Sequence, residues 1–117
     1  MKIRISSLMF MVLMLSGVNI NIASTAVEDL IGRGKEYTFN NNLKMAKQCF
    51  DLAIESNPND VSAYLERSRL WVLLGNCEES MKDLLHAATI DTQATETYFE
   101  RTDLSESDIK PCFTSFR

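Results

Sequence analysis

Two prolines, Pro58 and Pro111, and four glycines are all that this 117-residue chain has to break a helix or turn a strand sharply. Long stretches are therefore free to be helical, and a turn-rich β fold is disfavoured. Histidine occurs once, at His86, beside apolar Leu85 and Ala87; a solvated helix position is the simplest reading of it. No GxSxG, HExxH, P-loop or dinucleotide-binding glycine pattern is present, so an enzymatic reading has no constellation to stand on. The three cysteines, Cys49, Cys77 and Cys112, form neither a CxxC pair nor a zinc set, and no metal or other cofactor is expected. Basic side chains are outnumbered by acidic ones, 12 to 16, which removes the usual electrostatic support for nucleic-acid binding. There is no Asn-x-Ser/Thr sequon, and no uninterrupted apolar run approaches the ~20 residues that span a bilayer. What remains, 45% hydrophobic and 24% charged residues, is the composition of an ordinary folded domain.

The chain opens with basic Lys2 and Arg4, continues through an apolar stretch from Leu8 to Leu15, and reaches the small-residue run Ser24-Thr25-Ala26. That order is the one a secretory signal peptide has. Residues 1–26 are read as a cleavable leader, with the cut before Val27; a cut after Ala23 is the alternative. Removal takes the net charge from −4 to −6, because Lys2 and Arg4 are the only charged residues removed. The mature protein is then expected in a periplasm or outside the cell, without membrane attachment, or tethered to a membrane if the segment stays uncleaved.

Laying the rest of the chain over itself with a 34-residue shift aligns Arg33 with Arg67 and Arg101, and Leu30 with Tyr64 and Tyr98. The same shift aligns Gly34 with Ser68, Tyr37 with Trp71, and Ala53 with Ala87. A period of about 34 residues is the length of a helix-turn-helix solenoid unit. Apolar positions recur at helical steps from Val27 to Phe39 and from Leu43 to Ile54. Between them, Asn40-Asn41-Asn42 carries turn chemistry. Asn57-Pro58-Asn59-Asp60 is a stronger stop, with Asp60 placed to cap the next helix. Val61 to Leu74 and Cys77 to Ile90 repeat the hairpin around Gly75-Asn76.

These residues resemble the tetratricopeptide repeat family, in its variant with an Arg-Gly pair in the first helix. LIGRGKEY, Ala46, Phe50, Ala53 and Pro58 carry the match in one unit; Tyr64, Arg67, Ser68, Trp71, Gly75, Asp83 and Ala87 carry it in the next. Asn41 stands where the turn glycine is usual, Ser80 where the packing alanine is, and Thr92 where the proline is. The resemblance implies an all-α fold, a short right-handed α-solenoid with repeats at 27–60 and 61–94, a partial third repeat or capping helix at 95–104, and a tail at 105–117.

It also implies roles for particular residues. Gly34, Ala46, Ala53 and Ala87 keep the helices close. Arg33, Arg67 and Arg101 read as scaffold rather than an anion-binding row, with Asp83 the expected acid for Arg67 and Cys49 standing where Arg33 would want one. The concave face is expected to carry Ile31, Lys35, Thr38, Phe39, Leu65, Arg69, Val72 and Leu73, a mixed surface suited to a peptide with hydrophobic anchors and an acidic group. Packing between repeats is the competing role for Ile31, Leu65 and Val72. The implied function is binding of a protein or peptide; self-association through apolar end faces is the alternative. In an oxidising compartment Cys77 and Cys112 are the candidates for a disulfide, worth roughly 3 kcal/mol by loop entropy, while Cys49 reads as a buried thiol.

Overall fold

The computed structural model describes residues 22–101 together with Cys112. Most of the expected leader, and the tail at 105–117 apart from Cys112, lie outside the described residues. Among the described residues five α-helices follow one another: α1 (Ile22–Phe39), α2 (Leu43–Ser56), α3 (Val61–Leu73), α4 (Cys77–Ile90) and α5 (Thr92–Arg101). They form two antiparallel hairpins, α1 with α2 and α3 with α4, stacked so that α3 also touches α1 and α2, while α5 leans on α4 and α3.

The 34-residue repeat reappears in the hydrogen bonds that end and begin the helices. At the end of α1, Asn41 adopts a left-handed backbone at φ 59°. The Asn42 amide donates to the Tyr37 carbonyl, and that of Asn41 donates to Thr38. The end of α3 is the same six-residue closure: Gly75 sits at φ 74°, with Asn76 donating to Trp71 and Gly75 to Val72. Both satisfy carbonyls that a helix end leaves open. Asn42, Asp60, Asn76 and Asp91 then accept from the amide three residues on, capping α2, α3, α4 and α5 in turn.

Two boundaries differ from the sequence reading. Helix α1 begins at Ile22 rather than Val27, since nothing from Ile22 to Ala26 breaks a helix. Val27 itself is 1% exposed, packed with Ala53 and Ala63. Helix α5 begins at Thr92 rather than 95, because the Asp91 cap starts it directly after α4 ends.

The core is a chain of three clusters: Val27, Ala53 and Ala63; Ala46, Phe50 and Leu70; and Tyr64, Leu65 and Ala87. Ile31 joins the first two and Ile54 joins the first to the third. Each hairpin buries its stripe on the next, as repeat architectures do. Cys77 and Cys112 form a disulfide across a sequence separation of 35, and Cys49 is a free, buried thiol whose pKa desolvation pushes up.

Candidate partner-binding groove

Helices α1, α3 and α5 put one face each toward a common open recess of about 630 Å³. Lys35 of α1 and Leu65, Glu66 and Arg69 of α3 line it, with Tyr98 and Arg101 of α5 opposite. A second recess of about 310 Å³ shares Lys35, Glu66 and Arg69 and carries the surface on to Thr38, Phe39 and Leu73. The groove is thus polar at its centre and apolar at the end nearest the hairpin turns, where Phe39 is 91% exposed and Leu73 is also exposed.

Six of the eight residues expected on this face are on it, though with different parts to play. Lys35, Phe39, Arg69 and Leu73 present side chains to solvent. Leu65 is buried and forms part of the wall. The Thr38 hydroxyl donates to the Gly34 carbonyl at 2.8 Å, so its proton is committed to the helix. Ile31 and Val72 take the competing role, packing against neighbouring elements. Ile31 packs into the first two core clusters, and Val72 lines a small apolar cavity with Cys77, Cys112 and Phe99. Both sit at the edge of their helix's apolar stripe, and the neighbouring helix takes up that edge.

Glu66 also stands on this face, beyond the eight residues expected to bind there. Its side chain is only 11% exposed, with its Oε1 3.8 Å from Lys35 Nζ. Burial pushes its carboxyl pKa up, and Lys35 and Arg69 oppose that rise. Burial also drives the Tyr98 hydroxyl well above its usual range; Glu66 adds to the shift and Arg69 opposes it. The spacing of Glu66 to Arg69, one helical turn, was the available signal, since it places both on one stripe.

The three echoing arginines divide. Arg67 is held inside the stack: its Nε and Nη2 donate to the two Asp83 carboxylate oxygens at 2.8 and 2.7 Å, and Nη1 donates to Asp51 at 3.0 Å. Trp71 Nε1 adds a bond to Asp83 at 3.1 Å, and Lys47 lies 5.4 Å over the Trp71 ring while pairing with Asp51. These contacts, the bond to Asp83 foremost, push the Arg67 pKa up. Arg33 is not built in this way. Its side chain is 64% exposed and faces Asp29 of its own helix at 3.9 Å, because Cys49 occupies the place that Asp83 takes for Arg67. Arg101 is exposed and stands on the groove wall.

Packing fixes several of the other residues read as structural. A Cβ on Gly34 would run into the Phe50 ring, and Ala46, Ala53 and Ala87 have no exposed surface. The Pro58 carbonyl accepts from the Tyr64 hydroxyl at 3.0 Å. His86 is exposed, its ring 4.4 Å from that of Tyr64 and away from the groove. Among the described residues no set of His, Cys, Asp and Glu is arranged to hold a metal ion, and no helix is long and apolar enough to cross a membrane.

By fold, the chain is an all-α protein of stacked helical hairpins closed by a fifth helix. No family model matches it. It is similar to a protein described as Protein SGT1 homolog from Oryza sativa subsp. japonica, 25% identical over 80 residues that take in 68% of this chain and 22% of that protein. The matched part is thus under a quarter of that protein's length. No solved structure matches the chain.

Proposed function

We propose that the chain is an exported, non-enzymatic protein-interaction module of the tetratricopeptide type, which binds a protein or peptide in the groove formed by α1, α3 and α5. The observation that carries this reading is the groove itself: one continuous surface from three successive first-position helices, with exposed Phe39 and Leu73 beside the cations Lys35 and Arg69. Exposed apolar side chains beside charged ones mark interaction surfaces. The 34-residue recurrence of the turn closures and of the Asn42 and Asn76 caps supports the family assignment, and export rests on the leader-like residues 1–26.

Selection of a displayed random-peptide library on the purified, oxidised protein tests the groove. Peptides so selected lose at least about tenfold in affinity for the Phe39→Asp, Leu73→Asp double variant, because two buried apolar anchors contribute at least that much. They keep their affinity for Leu85→Asp on the exposed side of α4. Peptides that bind all three proteins equally sink the reading. Self-association is the second outcome to check: sedimentation showing a concentration-dependent dimer, lost in the same double variant, would assign the apolar end of the groove to another copy of the chain.

A further inference from the structure

A carboxylate, that of Glu66, lies in the groove floor. Glu66 is nearly buried beneath Lys35 of α1, with Arg69 one turn further along its own helix. From the α5 side Tyr98 and Arg101 line the same recess, and Asp91, just ahead of α5, is the other acid there. Lys35 and Arg69 are exposed, so their charge reaches solvent while that of Glu66 is sheltered below them. Three cations from the alternate helices α1, α3 and α5, with Phe39 and Leu73 beyond them, are complementary to a segment that carries both carboxylates and apolar side chains.

We propose that the groove takes acidic, apolar-bearing segments of a partner protein, and that Glu66 is a built-in counter-carboxylate that offsets the charge of Lys35 and Arg69 until a carboxylate of the partner replaces it. This rests on the groove reading above. A partner carboxylate placed between Lys35 and Arg69 comes close to Glu66, and two like charges in one partly desolvated site cannot both be accommodated at full strength. Glu66 is the member already biased toward its neutral form, because burial raises its pKa. Binding therefore draws a proton onto Glu66. As pH falls toward the range where glutamates of a free peptide begin to protonate, Glu66, whose pKa burial raises, protonates ahead of them and ceases to compete, so affinity rises. Of the other titratable groups lining the recess, Lys35, Arg69 and Arg101 are cations, Asp91 is the second carboxylate, and the Tyr98 hydroxyl is shifted further above its usual range; the one histidine, His86, does not line the groove.

The test is fluorescence anisotropy on the oxidised full chain, with a fluorescein-labelled synthetic peptide of three Leu-Glu pairs separated by serines and its glutamine counterpart. The glutamate peptide is expected to bind, and to bind more tightly toward acid pH. Glu66→Gln should tighten its binding about five- to tenfold near pH 7 and flatten the pH profile, as removal of a competing like charge requires. Arg69→Gln should weaken it. Circular dichroism confirms folding, and the wild-type pH profile reports on the same competition without a variant. Equal affinity for the glutamine peptide overturns the proposal, as does binding that Glu66→Gln leaves unchanged in strength and pH profile, or no binding to either protein. Library peptides that depend on Phe39 and Leu73 but carry no acids would leave the groove reading standing and remove this one. A Leu-Glu peptide insensitive to the Phe39→Asp, Leu73→Asp variant would remove both.

Discussion

Gly34 and Gly32 lie two residues apart on α1 and have opposite surroundings. A Cβ at Gly34 would overlap the ring of Phe50, which is fully buried, whereas one at Gly32 meets nothing within 4 Å. Both substitutions by alanine gain helix propensity, of order 1 kcal/mol, but only Gly34→Ala must also push a core aromatic aside, at about 1–3 kcal/mol. Urea denaturation should show Gly34→Ala destabilised and Gly32→Ala stabilised by about 0.5–1 kcal/mol; equal shifts would mean that the crossing is looser than the structure has it. That Gly34 had to be small was legible from its alignment with Ser68. That Phe50 is the side chain filling the space was not, because several apolar residues of α2 share that stripe.

At the scale of helices, the boundaries between Phe39 and Ile90 could be read because each is set within a few residues. A cap needs one oxygen three residues from an amide, and a left-handed turn needs Asn or Gly; Asn41-Asn42 and Gly75-Asn76 satisfy both. The tie between hairpins is different in kind. Arg67 of α3 bonds to Asp83 of α4 and to Asp51 of α2, so it joins the second hairpin to the first. The partnership with Asp83 follows from the family resemblance; the bond to Asp51 depends on how the hairpins stack. Arg67→Met leaves Asp83, 7% exposed, without its cation. The expected loss is about 2–4 kcal/mol, somewhat below that for a fully sealed pair because the Arg67 side chain is 21% exposed. Adding Asp83→Leu should recover most of it, and a double-mutant cycle by urea denaturation measures the coupling. Additive losses would show that the pair contributes nothing of its own.

Over the whole molecule, α5 is the least embedded of the five helices yet forms one wall of the groove. The Cys77–Cys112 disulfide closes a loop that starts at the first residue of α4 and encloses all of α5. Replacing both cysteines by serine should lower stability by about 2–4 kcal/mol, chiefly by freeing the unfolded chain. Hydrogen exchange should show α5 amides losing protection before those of α1 to α3. Uniform loss across all helices would mean instead that the bridge acts on the stack as a unit.

The amino-acid sequence by itself determined the helices, the turns between them and their pairing into hairpins at a 34-residue repeat. Those features depend on chemistry within a turn or on one fixed spacing, so a linear reading reaches them. Only the tertiary structure decided which edge of each helix meets the groove and which meets the next repeat. An apolar stripe has two edges, and the neighbouring helix claims one: Ile31 and Val72 went inward while Lys35, Arg69 and Leu73 stayed out. For the same reason one repeated arginine became three different residues. Arg67 is clamped because Asp83 and Asp51 converge on it, Arg33 is left at the surface beside Asp29, and Arg101 stands on the groove wall.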